Sequence, residues 1–240
     1  MNKRLSIIIL IFLTSFPLFS QGIINDINNF TRQDTLRGSI TKERIWWDLT
    51  YYHLDISVDP INRTIKGSNE ISYTVLEPYS EIQIDLQNPL VLTKAEQDDE
   101  NLEIRHDGNA HFIKLKKKQI RGAKNKIKVF YEGKPKTAFR APWDGGISWT
   151  KDKNGNHFIA SSCQGLGASV WWPNKDHMYD EVEGMLMSVN VPKGLFNVSN
   201  GRLIKIEEKE NSNTYHWEVK NPINNYGVNI NIGDYVNFSE

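Results

Sequence analysis

Beyond residue 45 the apolar positions of this chain fall on a period of two. Tyr52, Leu54, Ile56 and Val58 alternate with His53, Asp55 and Ser57, the pattern of a strand with one face in a core and one in water. Asp59-Pro60-Ile61-Asn62 supplies turn chemistry, and Ile65 to Val75 and Ile82 to Leu86 read as the next two strands. Asn88-Pro89 breaks the chain before Leu90-Val91-Leu92, and Ile104 to Leu115 reads as a hairpin around Asp107-Gly108-Asn109. Val189 to Val191, Leu203 to Ile206 and Tyr215 to Val219 add short strands. Asn221-Pro222 and Asn224-Asn225 mark turns, and Val228 to Val236 gives a last alternation. Residues 133–157, rich in Gly, Pro, Asp and Asn and holding Trp143 and Trp149, read as a long structured loop, a type that often carries function. No amphipathic helix longer than about ten residues and no internal repeat emerges. The pattern predicts an all-β fold: a sandwich or stack of curved, mostly antiparallel sheets.

The first twenty residues follow another logic. Lys3 and Arg4 precede the almost wholly apolar stretch Leu5 to Leu13, then Pro17 and a small residue, Ser20. That order predicts a secretory signal peptide over 1–20 and an exported chain, in the periplasm, at the cell surface or in the medium. The apolar run is short of the ~20 residues a membrane helix needs, so no stable anchor is expected after cleavage; an uncleaved anchor is the alternative. No cysteine lies near the cleavage site to carry a lipid.

Composition narrows the class. Of 240 residues 39% are hydrophobic, 24% charged and 11% aromatic, which excludes a disordered, collagen-like or coiled-coil protein. Lys+Arg and Asp+Glu are 29 each, so no global basic excess points to nucleic acid or an anionic membrane. The one basic stretch, Lys114 to Lys128, reads as a strand's wet face guarding a sheet edge; as a polyanion site it lacks an aromatic platform. Cys163 is the single cysteine, which excludes an internal disulfide or a Cys-rich zinc site and suits a buried thiol.

Catalytic motifs are absent. None of His53, His106, His111, His157, His177 and His216 opens a His-Glu-x-x-His helix, and there is neither a Gly-x-Ser-x-Gly elbow nor a phosphate-binding loop. His53, His106 and His111 read as surface or rim residues. Cys163 with His177 as its base is conceivable, but nothing in the sequence supplies a lowered thiol pKa. Asp98, Asp99 and Glu100 read as a solvated turn without the spacing of a calcium loop. Asp176, Asp180, Glu181 and Glu183 read as a solvated acidic loop, with a cation or amine site as the alternative.

Several segments together resemble a known family. Tyr52-His-Leu-Asp-Ile-Ser-Val-Asp-Pro60, Ile65-Lys-Gly67 and Ile82-Gln-Ile-Asp-Leu-Gln87 resemble the opening strands of the M1 family of zinc aminopeptidases. Ser162-Cys-Gln-Gly-Leu-Gly-Ala-Ser-Val-Trp-Trp-Pro-Asn-Lys-Asp-His177 resembles the loop near the end of that family's N-terminal domain. Val191-Pro-Lys-Gly194 and Val198-Ser-Asn-Gly201 resemble the strand and hairpin that follow. Trp143-Asp-Gly-Gly146 and Asn221-Pro-Ile-Asn-Asn-Tyr-Gly227 are most similar to secreted members of Bacteroidetes type. The match runs from about Arg44 to Asp234, and its strength lies in the order and spacing of the pieces.

After the signal peptide (1–20), residues 21–44 are polar with scattered apolars and read as a loose lead-in; the resemblance implies that 45–240 form one saddle-like β-domain. It implies that zinc belongs to the complete enzyme, in a thermolysin-like catalytic domain absent here, so this chain binds no metal, holds no catalytic residue and is inactive alone. It also implies a substrate-binding role for the loop, toward the free α-amino group of a peptide. Gln164 takes the position of the acceptor that is Glu in many members, so the attraction it offers an ammonium is weaker. Ser162 stands where many members carry Gln and is too short to replace it; Gly165 stands where Ala is usual. Trp171, Trp172 and Pro173 read as core and domain-packing residues. A stand-alone, non-catalytic β-sandwich that binds peptides or proteins is the alternative. The two part at the surface: a domain built to dock exposes an apolar patch, a self-sufficient binder a polar one.

Overall fold

The computed structural model describes residues 30–236 and 238. The segment read as a signal peptide lies outside the described residues, as does the start of the lead-in. The chain divides between Thr35 and Leu36. In the first unit, Thr31 opens helix α1 (Arg32–Gly38) with a reciprocal cap. Its hydroxyl accepts from the Asp34 N–H (3.2 Å) and the Asp34 carboxylate accepts from the Thr31 N–H (2.8 Å). All that follows concerns the second unit.

A short helix α2 (Lys42–Ile45) leads into the strands β1 (Trp47–Asp59), β2 (Thr64–Val75), β3 (Glu81–Asp85), β4 (Val91–Gln97), β5 (Glu100–Asn101), β6 (Glu103–Asp107), β7 (Ala110–Lys114) and β8 (Lys124–Gly133). They continue with β9 (Gly146–Lys151), β10 (His157–Ser162), β11 (Gly184–Pro192), β12 (Phe196–Ser199), β13 (Arg202–Glu208), β14 (Ser212–Val219) and β15 (Ile230–Gly233). They form an eight-stranded sheet ordered β13-β14-β11-β1-β2-β8-β4-β5, a four-stranded sheet β12-β15-β10-β9 and a three-stranded sheet β3-β7-β6. Of the described residues 51% are in strands and 8% in helices, and the mostly antiparallel sheets do not close into a barrel. The all-β expectation is met.

The core follows from the alternation read in the sequence. In β1, Trp47 and Leu49 are buried at odd positions, Tyr52, Leu54, Ile56 and Val58 at even ones. A bulge between Leu49 and Tyr51 absorbs the change of phase and keeps all six side chains on one face. Gly67, opposite Ile56, is required by space: a Cβ there would lie 2.1 Å from the Asp55 carbonyl oxygen. One continuous apolar cluster draws on all three sheets, including Ile71 and Val189, Ile82 and Ile113, and Ile147, Ile159 and Ile232.

Some expectations change. Lys126 and Lys128 do stand on the wet face of β8, alternating with buried Ile127 and Val129, but β8 runs between β2 and β4 and guards no edge. Several of the basic side chains of that stretch meet acids: Lys116 with Glu100, Lys117 with Asp98, Arg121 with Glu77 and Lys126 with Glu70. The long loop at 133–157 is a loop only to Gly145; β9 and β10 then form a hairpin that contains Trp149. β11 begins five residues before the Val189 read from the sequence, because Met185 to Ser188 pair with β1 along one edge and with β14 along the other.

His111, expected at the rim, is buried. Its Nε2–H donates to the Leu86 carbonyl (3.1 Å), which leaves Nδ1 to accept from the His106 Nδ1–H (2.6 Å). Burial pushes the imidazole down to about 4 from its ordinary 6.5. The unfolded chain therefore takes a proton that the folded one refuses. This contribution to stability is complete above pH 6.5 and drains as the pH falls toward 4. Replacing His111 by Gln, which keeps an N–H for Leu86, is expected to flatten the acid limb of a urea-stability profile by roughly 2–3 kcal/mol at pH 4. An unchanged limb would assign acid sensitivity to other groups.

Candidate functional site

The segment from Ser162 to His177 leaves β10 and crosses the core. The Cys163 carbonyl accepts from the N–H groups of Leu166 (3.1 Å) and Gly167 (2.8 Å), closing a tight turn with Gln164 and Gly165 at its tip. Gly165 has φ +72°, which favours glycine, and a Cβ there would meet open space. Beyond the turn, Trp171 and Trp172 are fully buried; Trp172 packs edge-on against Tyr52 with ring centroids 5.0 Å apart. Their reading as core residues holds.

Polar groups before and after the segment, and within it, brace this turn. Gln87 Nε2 donates to the Leu166 carbonyl (2.6 Å) and Ser169 Oγ (2.9 Å). Asp176 accepts from the Ala168 and Ser169 N–H groups and from the Ser169 hydroxyl. Asp85 and Asn174 exchange backbone hydrogen bonds, and the buried Asn69 amide donates to the Pro173 carbonyl. Gly145 lies close beneath: a Cβ there would come within 2.9 Å of the Gln164 carbonyl oxygen and the Leu166 side chain.

The three residues assigned to substrate binding differ in what they offer. Gln164 is exposed, and its Oε1 accepts a 2.5 Å hydrogen bond from the Tyr226 hydroxyl. Ser162 Oγ donates to the Pro142 carbonyl (3.0 Å) and so ties the turn to the neighbouring loop. Gly165 contributes clearance. In that loop the Asp144 carboxylate accepts from the Phe139 and Arg140 N–H groups, which hold it below the usual carboxylate range. The loop presents Phe139 and Trp143 to solvent, 89% and 81% exposed.

Two other constellations are structural. Burial pushes the Cys163 thiol up to about 11, and both nitrogens of His177 are committed, Nε2 to the Gly38 carbonyl and Nδ1 to the Tyr179 N–H. No thiol–imidazole pair forms. The acidic cluster is not a solvated loop throughout. Asp180 reaches the ammonium of Lys175, a fully buried residue, at 2.5 Å and accepts from the Leu49 N–H. Only Glu181 and Glu183 of the four are exposed. Tyr226 was missed as a site residue. The sequence signal was an aromatic among turn formers, Asn224-Asn225-Tyr226-Gly227, but its partner is 62 positions away.

The fold and site define an open β-domain that carries an exposed, firmly braced polar turn beside two exposed aromatic side chains. The Peptidase M1 N-terminal domain model matches residues 49–226, and the chain belongs to that family. Among solved structures it is similar to a two-domain M1 zinc metallopeptidase bound to L-arginine. Identity is 20% and TM-score 0.66, over 79% of this chain and 43% of that one. It is also similar to the M1 zinc metallopeptidase of Deinococcus radiodurans (18%, TM-score 0.67, 79% and 42%) and to a mutant of it bound to a Tyr-Ser-Ala substrate (18%, 0.67, 82% and 44%). At these identities the likeness establishes the fold. The chain spans about two fifths of the length of these structures. A search of curated proteins found no significant match.

Those relatives are described as zinc enzymes. Among the described residues of this chain, no group of three or more His, Cys, Asp or Glu side chains is placed to hold a metal ion. The donor set a peptidase zinc requires is therefore not found in this domain's described part, and no chemical step is assigned to it here.

Proposed function

We propose that this chain is the N-terminal domain of an exported M1 zinc aminopeptidase that removes N-terminal residues from peptides. Its own part is to receive the substrate's α-ammonium on Gln164 and to dock a thermolysin-like catalytic domain, which supplies the zinc chemistry. The observation that carries this reading is the Gln164 amide, exposed at the tip of a turn that Gln87, Asp176 and Ser162 hold in place. An amide oxygen has two lone pairs, so Oε1 can serve Tyr226 and an ammonium together. Gly165 leaves room above it. Phe139 and Trp143, exposed beside the turn, suit burial against a second domain. Export rests on the reading of residues 1–20.

The test is Gln164→Ala in the enzyme formed by this chain with its catalytic domain. We expect kcat/KM for unblocked peptides to fall about tenfold, the worth of a hydrogen bond to a charged group. Gln164→Glu is expected to raise it, because a carboxylate attracts the ammonium more strongly. Unchanged kinetics in the alanine variant would remove Gln164 from substrate binding.

A further inference from the structure

We propose that Tyr226 is a positioning residue for Gln164: its hydroxyl fixes the amide so that the oxygen, not the NH2 group, is held for the α-ammonium. This rests on the role proposed for Gln164. A neutral amide differs from a carboxylate in having two unlike ends. Turned by half a rotation, Gln164 would present donors to a cation that can only donate. An exposed glutamine has several free rotors, so the correct orientation needs an outside constraint.

The geometry supplies that constraint. The Tyr226 Oη to Gln164 Oε1 separation is 2.5 Å, within the range of O–H···O hydrogen bonds and shorter than N–H···O bonds, so the contact selects the oxygen end. The phenol is itself held firmly. Tyr226 lies on the single turn Asn225–Gly227, closed by Asn224, whose side chain accepts from the Gly227 N–H at 2.8 Å. The buried Asn225 amide donates to the Lys175 carbonyl (2.6 Å) and to Asn174 Oδ1 (3.2 Å). Asn200 Nδ2 donates to the Gly227 carbonyl (3.0 Å). Asn174 and Lys175 end the same braced segment that begins at Gln164. The Tyr226 turn is thus anchored to the backbone that carries its target.

The experiment is a set of variants in the two-domain enzyme, with KM and kcat measured on an unblocked dipeptide anilide. Tyr226→Phe removes one oxygen atom from a half-exposed ring and is expected to raise KM about three- to fivefold with kcat little changed. Adding Tyr226→Phe to Gln164→Ala is expected to cost nothing further, since no amide remains to orient. In a Gln164→Glu background the Tyr226→Phe effect is expected to vanish, because either carboxylate oxygen can accept. Equal losses in all three backgrounds would make Tyr226 a structural residue and overturn the proposal. If Gln164→Ala raises KM and Tyr226→Phe does not, the positioning role fails while the role of Gln164 stands. If Gln164→Ala has no effect, both fall.

Discussion

Replacing Asp180 by alanine is expected to lower the stability of the chain by about 3–5 kcal/mol, the cost of leaving a buried charge without its partner. Melting should move down by roughly 10 °C for a domain of this size. Lys175 is fully buried. Its ammonium meets the Asp180 carboxylate at 2.5 Å and the Trp47 carbonyl at 2.9 Å, and it lies over the Trp47 and Tyr179 rings. Burial already pushes this lysine down to about 8 against the pull of Asp180. Without Asp180 it gives up its proton on folding, while the unfolded chain keeps one up to about 10.5. The unfolded state then binds more protons, so the stability of the variant must climb as the pH rises from 7 toward 10. A second variant, Lys175→Met with Asp180→Ala, should recover most of the loss at neutral pH. Thermal melts of the three proteins at pH 7 and 9.5 decide the matter: a deficit that ignores pH and is not repaired by Lys175→Met would place the cost in packing.

Asp85→Ala is expected to cost a similar 3–5 kcal/mol, again by orphaning a buried charge. The Arg44 guanidinium is wholly buried, donates to the carbonyls of Arg37 (2.9 Å) and Ser39 (2.8 Å), and pairs with Asp85 at 2.5 Å. Asp85 also accepts from Gln83 Nε2 and from the Asp176 N–H, and Asp176 in turn holds the Ala168 and Ser169 N–H groups. The loss should therefore be read in two places. Urea unfolding reports the global cost, and amide hydrogen exchange at Ala168 and Ser169 should quicken at denaturant concentrations where the rest of the core stays protected. Exchange there that matches the parent protein would show that Asp176 holds the turn without Asp85.

The sequence revealed the strands whose partners impose a one-sided burial. The alternation in Tyr52 to Val58 and around Ile127 and Val129 is a local record of a sheet face, and it can be read without knowing which sheet. Position within a sheet is not recorded in that way, so Lys126 and Lys128 suggested an edge where β4 in fact pairs with β8. The acidic side chains misled for the same reason. Asp180 looks solvated until Lys175, five positions earlier, is seen folded into the core beside it. Gln164 was reached through family resemblance, and its surroundings were not legible: Gln87, Gly145 and Tyr226 come from three distant stretches, and only tertiary structure brings them to one turn.

The parallel pairing of β1 with β11 also sets an order on folding as the chain emerges. β1 can pair with β2 as soon as both have emerged, but its other edge stays unfilled until Gly184, about 125 positions after Asp59, has been made. Vectorial emergence of the chain therefore leaves an interval in which β1 is only half paired. Throughout it, a thirteen-residue strand bearing Tyr52, Leu54 and Ile56 presents open backbone donors and acceptors to any passing strand. Closing so distant a contact is slow by nature. The nascent chain is therefore most exposed to misassociation before its eleventh strand arrives, and a holdase acting on it would find its site along β1.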